Sequence, residues 1–254
     1  MLEISVISCL SDNYSYLIRD KKTNFVGVVD PSDFSTVDSE ISRTYKKLDF
    51  ILNTHHHNDH VGGNLELKKK YNAKIISSSH EQHEIPGSDI KKGHGDNFSF
   101  GKTIFKVIHI PGHTLGHIAF YSENAQVIFS GDTLFSLGCG RIFEGTFELM
   151  FKSLEEIKSL PKKTMIYCGH EYTFQNSKFC IGIDEQNQKL KDRIKEINNK
   201  IANKLPTIPT TLGDELETNI FLRCDNKKIK NKIKMDNASK LEVFTKLRSL
   251  KDQF

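Results

Sequence analysis

The chain has 254 residues, of which 37% are hydrophobic and 27% charged, and its formal net charge is +4. These proportions favour a folded protein with a buried core and exclude wholesale disorder. No apolar run approaches the roughly 18 residues of a membrane span, and the first residues, "MLEISVISCL", have the features of neither a signal nor a transit peptide. We therefore expect a cytoplasmic protein without a membrane partner.

Up to about residue 172, short apolar runs rich in β-branched and aromatic residues alternate with turns, which predicts strands. In chain order the main runs are "EISVISCL", "YSYLIRD", "FVGVVDP", "FILNTH", "KIISSS", "IFKVIHIPGH", "IAFYS", "VIFSGD" and "MIYCGH". Residues 65–71 and 146–160 have the apolar spacing of helices. This part of the chain is therefore predicted to be an α/β domain.

The pattern changes at Thr173. Two series of apolar residues then recur at helical spacing, Leu190, Ile194, Ile197 and Ile201, and later Leu241, Phe244 and Leu247. Ser239 and Glu242 form the capping-box pattern at the start of the last helix. We predict a domain of residues 1–173 followed by a helical domain of residues 174–254.

Much of the positive charge lies near the C-terminus, in "DNKKIKNKIKMDNASK". This segment lacks aromatic residues for base stacking, which favours a solvated surface over a nucleic-acid interface. An anionic small ligand is the weaker alternative that the charge leaves open.

Five cysteines are scattered along the chain without a Cys-x-x-Cys pair: Cys9, Cys139, Cys168, Cys180 and Cys224. An odd number without ligand spacing argues against a disulfide framework and against a cysteine-rich zinc module. We predict reduced thiols, most of them buried.

Four predicted strands are each followed by a side chain that can bind a metal ion. "FILNT" precedes His55, "VIHIPG" precedes His113, "VIFSG" precedes Asp132 and "MIYCG" precedes His170. Ligand sites in α/β folds lie at the carboxyl ends of strands. These four residues are therefore expected to converge on one site.

The segment "THHHNDH" holds further potential ligands. In an extended segment His55, His57 and Asp59 share one side, and a helix beginning at His60 would turn that residue toward them. A zinc finger is excluded because no cysteine pair has ligand spacing. The segment is therefore predicted to supply ligands to two metal ions.

The remaining histidines are expected to be structural or exposed. His56 is interpreted as a bystander, His109 as a hydrogen-bonded core residue and His117 as structural, with orientation of the ligands as the alternative role. "HEQH", residues 80–83, has two intervening residues where the metalloprotease motif has three, and it is interpreted as a surface pair.

Four motifs in this order, "THHHNDH", "PGHTLGH", "SGDTLF" and "CGHEYT", resemble those of the metallo-β-lactamase superfamily. "GCGRIFEGT" and "RSLKD" are more specific and resemble the glyoxalase II, or hydroxyacylglutathione hydrolase, family. With the helical C-terminal domain, the resemblance covers essentially the whole chain. It implies an αββα sandwich followed by an all-helical domain that completes the substrate site.

The resemblance also implies a centre of two divalent metal ions, zinc above all, with iron or manganese as alternatives. The implied ligands are His55, His57 and His113 for the first ion, and Asp59, His60 and His170 for the second, with Asp132 bridging both. Asp30 corresponds to an aspartate behind the ligands. A bridging hydroxide would attack the thioester carbonyl of S-2-hydroxyacylglutathione, and Asp59 would orient the attacking water or accept its proton.

Glutathione carries two carboxylates, so its site requires cations and hydrogen-bond donors. The family positions that bind it match Arg141, Phe143, Tyr172, Arg248 and Lys251. Arg141 stands where the family often has lysine, which keeps the charge. Phe143 stands where it often has tyrosine, which removes a donor. The chain is expected to be a monomer that binds this small substrate and no nucleic acid.

Three other functions remain as alternatives. A glutathione persulfide dioxygenase would use a single iron ion and lack the helical tail. A lactamase or lactonase would have no use for residues that bind an anionic substrate. A non-catalytic binding protein with the same fold would usually have lost metal ligands, and none of the seven is missing.

Overall fold

Two six-stranded sheets face each other in the computed structural model, which describes residues 2–254. The first sheet contains, in order, β1 (Leu2–Cys9), β2 (Asn13–Asp20), β3 (Val26–Val29), β4 (Phe50–Leu52), β5 (Lys74–Ser78) and β6 (Ile90–Lys92). Its first three strands are antiparallel, and β3 to β6 are parallel. The parallel strands therefore present their carboxyl ends at one edge.

The second sheet is mostly antiparallel. It contains β7 (Asn97–Phe100), β8 (Thr103–His109), β9 (Ile118–Ser122), β10 (Val127–Gly131), β13 (Met165–Cys168) and β14 (Thr210–Thr211), with neighbours in that order. Only the pair β10 and β13 is parallel. A small hairpin, β11 (Leu134–Phe135) with β12 (Gly138–Cys139), follows β10.

Aromatic and β-branched side chains fill the space between the sheets. Tyr16, Ile18 and Leu52 from the first sheet pack with Phe105 and Phe129 from the second. Each of these side chains is nearly or fully buried. Burial of this apolar surface is the main force holding the two sheets together.

Helices cover both outer faces, which confirms the αββα sandwich. The helices α1 (Phe34–Thr44) and α3 (Asn64–Tyr71) pack on the first sheet through residues such as Ile41 and Leu67. The helix α4 (Phe147–Lys158), capped by the Thr146 hydroxyl, covers the second sheet through Met150 and Leu154.

The C-terminal region is helical, as predicted. It consists of α5 (Thr173–Ile183), α6 (Gln188–Ala202), α7 (Leu212–Thr218), a short 3-10 helix (Ile220–Leu222), α8 (Lys227–Lys232) and α9 (Lys240–Asp252). The Ser239–Glu242 capping box is confirmed. The two-residue strand β14 departs from an all-helical region, because it pairs with β13 and extends the second sheet. The domain boundary at residues 173 and 174 stays a prediction.

The helix expected to begin at His60 differs from the prediction. A short helix, α2 (Asn58–Val61), begins two residues earlier, and Gly62 and Gly63 separate it from α3. A Cβ at Gly62 would lie 2.3 Å from the carbonyl oxygen of Ser32, so the close approach of two backbones requires glycine there. Asp59 therefore projects from a helix and not from an extended segment.

All five cysteines are free and buried, as predicted. Burial raises the pKa of Cys9 to about 11 and the pKa values of Cys168, Cys180 and Cys224 to about 12 each. The same cause raises the pKa of Cys139. Among residues 2–254, no helix is both long and apolar enough to cross a bilayer.

Candidate functional site

Loops that follow the strands bring the seven predicted metal ligands together at one edge of the sandwich. His55 and His57 follow β4, His113 follows β8, Asp132 follows β10 and His170 follows β13. Asp59 and His60 lie in α2. The convergence expected from the strand ends is confirmed.

Three imidazoles form the first group. His57 Nδ1 lies 3.1 Å from His55 Nε2 and 3.0 Å from His113 Nε2. Zinc–nitrogen bonds of about 2.0–2.1 Å place two ligands of one tetrahedral ion about 3.3 Å apart. The three nitrogen atoms therefore have the spacing of ligands to a single ion.

Two imidazoles and a carboxylate form the second group. His60 Nε2 lies 3.3 Å from His170 Nε2, and Asp59 Oδ2 lies 3.6 Å and 3.4 Å from these two atoms. This group also has ligand spacing. Histidine and carboxylate together suit zinc, iron and manganese.

Asp132 lies between the two groups. Its Oδ2 atom is 3.5 Å from His113 Nε2 and 3.2 Å from His170 Nε2, and its Oδ1 atom is 3.5 Å from His60 Nε2. A Cβ at Gly169 would lie 2.1 Å from Asp132 Oδ1, so only glycine leaves room for this carboxylate. The Asp132 carboxylate therefore faces ring nitrogens of both groups.

The ring nitrogens that point away from the centre are held by acceptors. His60 Nδ1 donates to Asp30 Oδ2 at 3.1 Å, and His170 Nδ1 donates to Asp12 Oδ1 at 2.9 Å. His113 Nδ1 donates to the carbonyl oxygen of Arg141 at 2.8 Å. A proton on each Nδ1 leaves the Nε2 lone pair directed into the centre, which is the arrangement a metal ligand needs.

His55 is held in the same way through Thr54. His55 Nδ1 lies 3.1 Å from Thr54 Oγ1, whose hydroxyl donates to Asp30 Oδ2 at 2.6 Å. Asp30 adopts a positive φ of 48°, where its carboxylate also accepts from the Thr54 backbone N–H at 2.8 Å. Asp30 thus fixes His55 and His60 together, in the position behind the ligands that the resemblance implied.

This donor set fits cations. Facing Nε2 lone pairs on His60 and His170 would repel each other without a positive charge between them, and buried Asp132 Oδ1 has no hydrogen-bond partner among residues 2–254. Burial lowers the pKa of His60, but Asp132, Asp30 and Asp59 outweigh burial and raise it to about 9. The second group therefore lies in a field that attracts positive charge.

The first group has the opposite titration behaviour. Burial lowers the pKa of His55 well below its usual value, and burial together with neighbouring imidazoles lowers the pKa of His57 to about 4. Burial also lowers the pKa of His113. These rings are neutral at pH 7, which is the protonation state in which histidine binds metal.

Two residues that hold the second group were missed by sequence reasoning. Asp12 accepts from His170, and Asn13 Nδ2 donates to Asp59 Oδ2 at 2.8 Å and to the Asp59 carbonyl oxygen at 3.1 Å. Asp12 lies in the turn between β1 and β2, and Asn13 is the first residue of β2, so both are far from every motif. The available signal was a polar Asp-Asn pair placed between two strands, which an ordinary turn shares.

Two other histidines lie near the two groups, and their partners differ. His117 is fully buried, its ring stacks on His55 and its Nε2 accepts from the Asp132 backbone N–H at 3.1 Å. These contacts position two of the predicted ligands, which is the alternative role given for His117 above, and the choice between that role and a structural one stays a prediction. His109 is half-buried, donates to the carbonyl oxygen of Leu115 at 2.8 Å and stacks on His80, so it is hydrogen-bonded as predicted, although at the edge of the core.

A cavity of about 580 Å³ opens over the metal-binding residues. It is lined by His57, Asp59, His113, Asp132 and His170, by the five predicted substrate-binding residues Arg141, Phe143, Tyr172, Arg248 and Lys251, and by Phe135, Cys139, Gln175, Asn176, Asp252 and Phe254. Residues from β12, α5 and α9 thus surround one opening. The structure brings every predicted substrate-binding residue to the same cavity as the metal ligands.

Arg248 and Lys251 differ in their surroundings. Arg248 is 3% exposed, donates to the Cys139 carbonyl oxygen at 2.7 Å and pairs with Asp252 Oδ1 at 2.9 Å. Lys251 lies over the rings of Phe179 and Phe254, at 5.4 Å and 4.8 Å, and has no carboxylate within ion-pair distance in the described part of the chain. Burial and the nearby arginines lower the pKa of Lys251. Lys251 is therefore the cation that is free to meet an anionic ligand.

Known proteins share this organisation. The sequence model of the metallo-beta-lactamase superfamily matches residues 11–170, and that of the hydroxyacylglutathione hydrolase C-terminus matches residues 171–254. A hydroxyacylglutathione hydrolase of Pelagibacter ubique is 52% identical over the full length of both chains. The chain belongs to the hydroxyacylglutathione hydrolase family. A second member, from Brucella ovis, is 45% identical over all of this chain and 98% of its own.

Solved structures agree with the family's fold. ETHE1 from Myxococcus xanthus superposes with a TM-score of 0.70 at 21% identity, covering 98% of this chain and 91% of that one. TTHA1623, solved in a di-iron-bound form, superposes with a TM-score of 0.61 at 24% identity, covering 86% of this chain and all of that one. The metallo-β-lactamase fold is thus common to proteins that share few residues with this hydrolase.

Proposed function

We propose that this member of the hydroxyacylglutathione hydrolase family cleaves S-2-hydroxyacylglutathione, typically S-D-lactoylglutathione, to glutathione and a 2-hydroxy acid such as D-lactate. This reaction is the second step of methylglyoxal detoxification. The observation that carries the proposal is one cavity lined both by five of the seven predicted metal ligands and by an unpaired cation, Lys251, supplied by the C-terminal helix. The names of the 52% and 45% identical relatives support it.

His55, His57 and His113 would hold the first ion, Asp59, His60 and His170 the second, and Asp132 both. We assign zinc to these positions, with iron or manganese as alternatives that the same nitrogen and oxygen donors accept. Two such ions, when bound, lower the pKa of water from 15.7 to about 7 and polarise the thioester carbonyl.

Asp59 is the residue assigned to the proton of the attacking water. Its Oδ2 atom is held by Asn13, whereas its Oδ1 atom has no hydrogen bond within residues 2–254. Oδ1 is therefore available to orient the water or to accept its proton. The departing thiolate needs no strong acid, because a thiol has a pKa of only about 8.5.

The cavity wall would bind the glutathione part of the substrate. Lys251 and Arg141 supply positive charge for its carboxylates, and Tyr172 supplies a hydroxyl donor. Phe143 contributes ring surface but no donor, since it replaces the hydroxyl that relatives often have. Arg248 reaches the same cavity while its guanidinium holds α9 against β12.

The decisive experiment is hydrolysis of S-D-lactoylglutathione by protein reconstituted with zinc, iron or manganese, with the metal content counted per chain. We expect activity with two ions per chain and none after chelation. One iron ion with oxygen consumption and no hydrolysis would instead indicate a persulfide dioxygenase. Hydrolysis of a β-lactam or lactone without thioesterase activity would also contradict the proposal.

The proposal also includes the location and the oligomeric state of the enzyme. A cytoplasmic monomer fits a reaction whose substrate and product are small and soluble. Size-exclusion chromatography with light scattering would test the monomer, for which the expected mass is 29.0 kDa.

A further inference from the structure

A further cluster of histidines and carboxylates, separate from the first and second groups, lies beside the predicted metal centre. It has no part in the proposed reaction. His56 follows β4, Glu81 and His83 lie between β5 and β6, and Glu144 lies between β12 and α4. Three separate loops thus bring these side chains together. The sequence alone suggested a bystander at His56 and a surface pair in "HEQH".

Two imidazoles of this group face one carboxylate oxygen. Glu144 Oε1 lies 3.2 Å from His56 Nε2 and 3.4 Å from His83 Nε2. The two rings are 4.2 Å apart. The two nitrogen–oxygen separations match the spacing of about 3.3 Å for ligands of one zinc ion. Ligand atoms of His56, His57 and Glu144 also lie within 4.8 Å of one another.

Glu144 Oε2 and His56 Nδ1 face other residues of the fold. Glu144 Oε2 accepts from the Leu115 backbone N–H at 2.8 Å, which fixes the carboxylate and leaves Oε1 directed at the imidazoles. His56 Nδ1 lies 3.1 Å from Glu81 Oε2. A carboxylate behind a histidine nitrogen is the usual support for a metal-binding imidazole.

Glu81 is placed to support His56, but within the described chain its Oε2 atom is buried without a compensating hydrogen bond. Its side chain is only 3% exposed, and Oε2 and His56 Nδ1 are both buried without a well-formed hydrogen bond among residues 2–254. A Cβ at Gly116 would lie 2.6 Å from Glu81 Oε2, so glycine there makes room for the carboxylate. Glu81 Oε1 accepts from the backbone N–H groups of Gln82 and His83 at 3.0 Å and 3.3 Å, so of the two oxygens only Oε2 is left without a hydrogen bond to the described residues. A buried carboxylate oxygen in this position is expected to serve a nearby positive charge.

We propose that His56, His83 and Glu144 bind a third divalent transition-metal ion of the zinc class, with Glu81 positioning His56. Two imidazoles, one carboxylate and a solvent-accessible fourth position form a common zinc ligand set. His83 and Glu144 lie at the surface of the protein, so the ion enters from solvent. It binds more weakly than the inner two ions, because these ligands are more exposed and none of them bridges two ions.

The test counts zinc on protein that already holds two ions and is active. Equilibrium dialysis against rising free zinc, read by elemental analysis, should give a third equivalent per chain. His83→Ala and Glu144→Gln should each lose that equivalent and keep the inner two. Glu81→Gln should weaken it by about 10–100-fold, the usual effect of removing a supporting carboxylate.

His80→Ala is the matched control, because His80 lies in the same loop and stacks on His109 outside the group. It should retain the third equivalent. Saturation at two ions at millimolar free zinc would overturn the proposal and leave His56 as a hydrogen-bonded bridge between two glutamates. A third equivalent that survives in both His83→Ala and Glu144→Gln, or that is lost in His80→Ala, would also overturn it.

Discussion

The cavity has a floor and a wall that are built in different ways. The floor consists of the seven metal-binding residues, and the wall of Arg141, Phe143, Tyr172 and Lys251. His55 and His60 in the floor are 0% and 1% exposed, and Asp30 holds both. Phe143 in the wall is 63% exposed, and the Arg141 side chain is 67% exposed.

The difference separates the two tasks of an enzyme. Groups that act on the reacting atoms must be held in place before the substrate arrives, and four of the floor residues, His55, His60, His113 and His170, are fixed by hydrogen bonds to their outer ring nitrogens. Groups that bind the unreactive part of the substrate contact ground state and transition state alike, so they set KM more than kcat. Variants of the floor should therefore change metal content and kcat, and variants of the wall should change KM.

The largest effect is expected for Asp132→Asn. This carboxylate faces ligands of both groups, and its negative charge reduces the repulsion between two cations. We expect hydrolysis to be nearly abolished, a greater loss than the roughly 10–100-fold effect of an outer partner, and metal content to fall. Steady-state kinetics with elemental analysis measures both. Full turnover with two bound ions would refute the bridging role.

Arg248→Ala tests a cavity residue that also has a structural contact. The sequence placed Arg248 beside Lys251 as a substrate-binding cation, but its guanidinium is buried on the Cys139 carbonyl and Asp252. We expect the free energy of unfolding to fall by about 1.5–3 kcal/mol, the range for charged hydrogen bonds, in addition to any rise in KM. Urea denaturation of the variant beside Lys251→Ala measures the difference. An unchanged free energy of unfolding would mean that Arg248 serves only to bind substrate.

Asn13→Ala or Asp12→Asn should weaken metal binding by the second group, Asp59, His60 and His170, and leave the first group unaffected. Asn13 holds Asp59, and Asp12 holds His170. Within residues 2–254, Asp12 and Asn13 make no hydrogen bond to the first group. The affinity for the second ion is expected to fall about 10–100-fold, while the first ion stays bound. Competitive chelator titration resolves the two ions. Asn231→Ala, an exposed asparagine in α8, is the control and should leave both affinities unchanged.

Lys251→Ala should raise KM several-fold or more with little change in kcat. A charge-assisted contact contributes about 1.5–3 kcal/mol, and solvent at this half-buried ammonium reduces that value. Added salt should raise KM in the wild type and do so less in the variant. Lys246→Ala, exposed on the same helix, is the control. A large fall in kcat at constant KM would indicate that Lys251 acts in catalysis or folding and not in substrate binding.

The smallest effect is expected for Phe143→Tyr. The Phe143 ring lies 5.2 Å from the His113 ring at the mouth of the cavity. A new hydroxyl that donates to the peptide of glutathione should tighten binding by about 0.5–1.5 kcal/mol. The measurement is KM, with Phe25→Tyr, a partly exposed phenylalanine remote in sequence from every cavity residue, as the control. No change would indicate that another donor already fills this position.

The floor was largely predictable from the sequence, whereas of the residues that support it only Asp30 was. Each predicted ligand stands directly after a strand or within "THHHNDH", so local spacing predicted that all seven converge, and the structure brings them together. Asp12 and Asn13 could not be identified, because their role depends on how β2 packs beside β13, which no local pattern encodes. The α2 boundary was misplaced for a similar reason, since the contact of Gly62 with Ser32 depends on the fold.

The wall was only partly predictable. Helical spacing correctly put Arg248 and Lys251 near each other on α9, but it carries no information about depth. Arg248 is buried because the hairpin β11–β12 packs against the last helix, and Lys251, one turn later, is not. Position on a helix face is local, whereas burial is a property of the whole chain.

The five buried cysteines bear on the chemistry of the proposed product. Glutathione released in the cavity is itself a thiol, and Cys139 lines that cavity. Exchange between a thiol and a disulfide requires a thiolate as the attacking group. Burial raises the pKa of all five cysteines, so almost none is a thiolate at neutral pH. The cysteines of this enzyme are therefore poor nucleophiles toward glutathione disulfide, and we expect them to stay reduced in a partly oxidised glutathione pool.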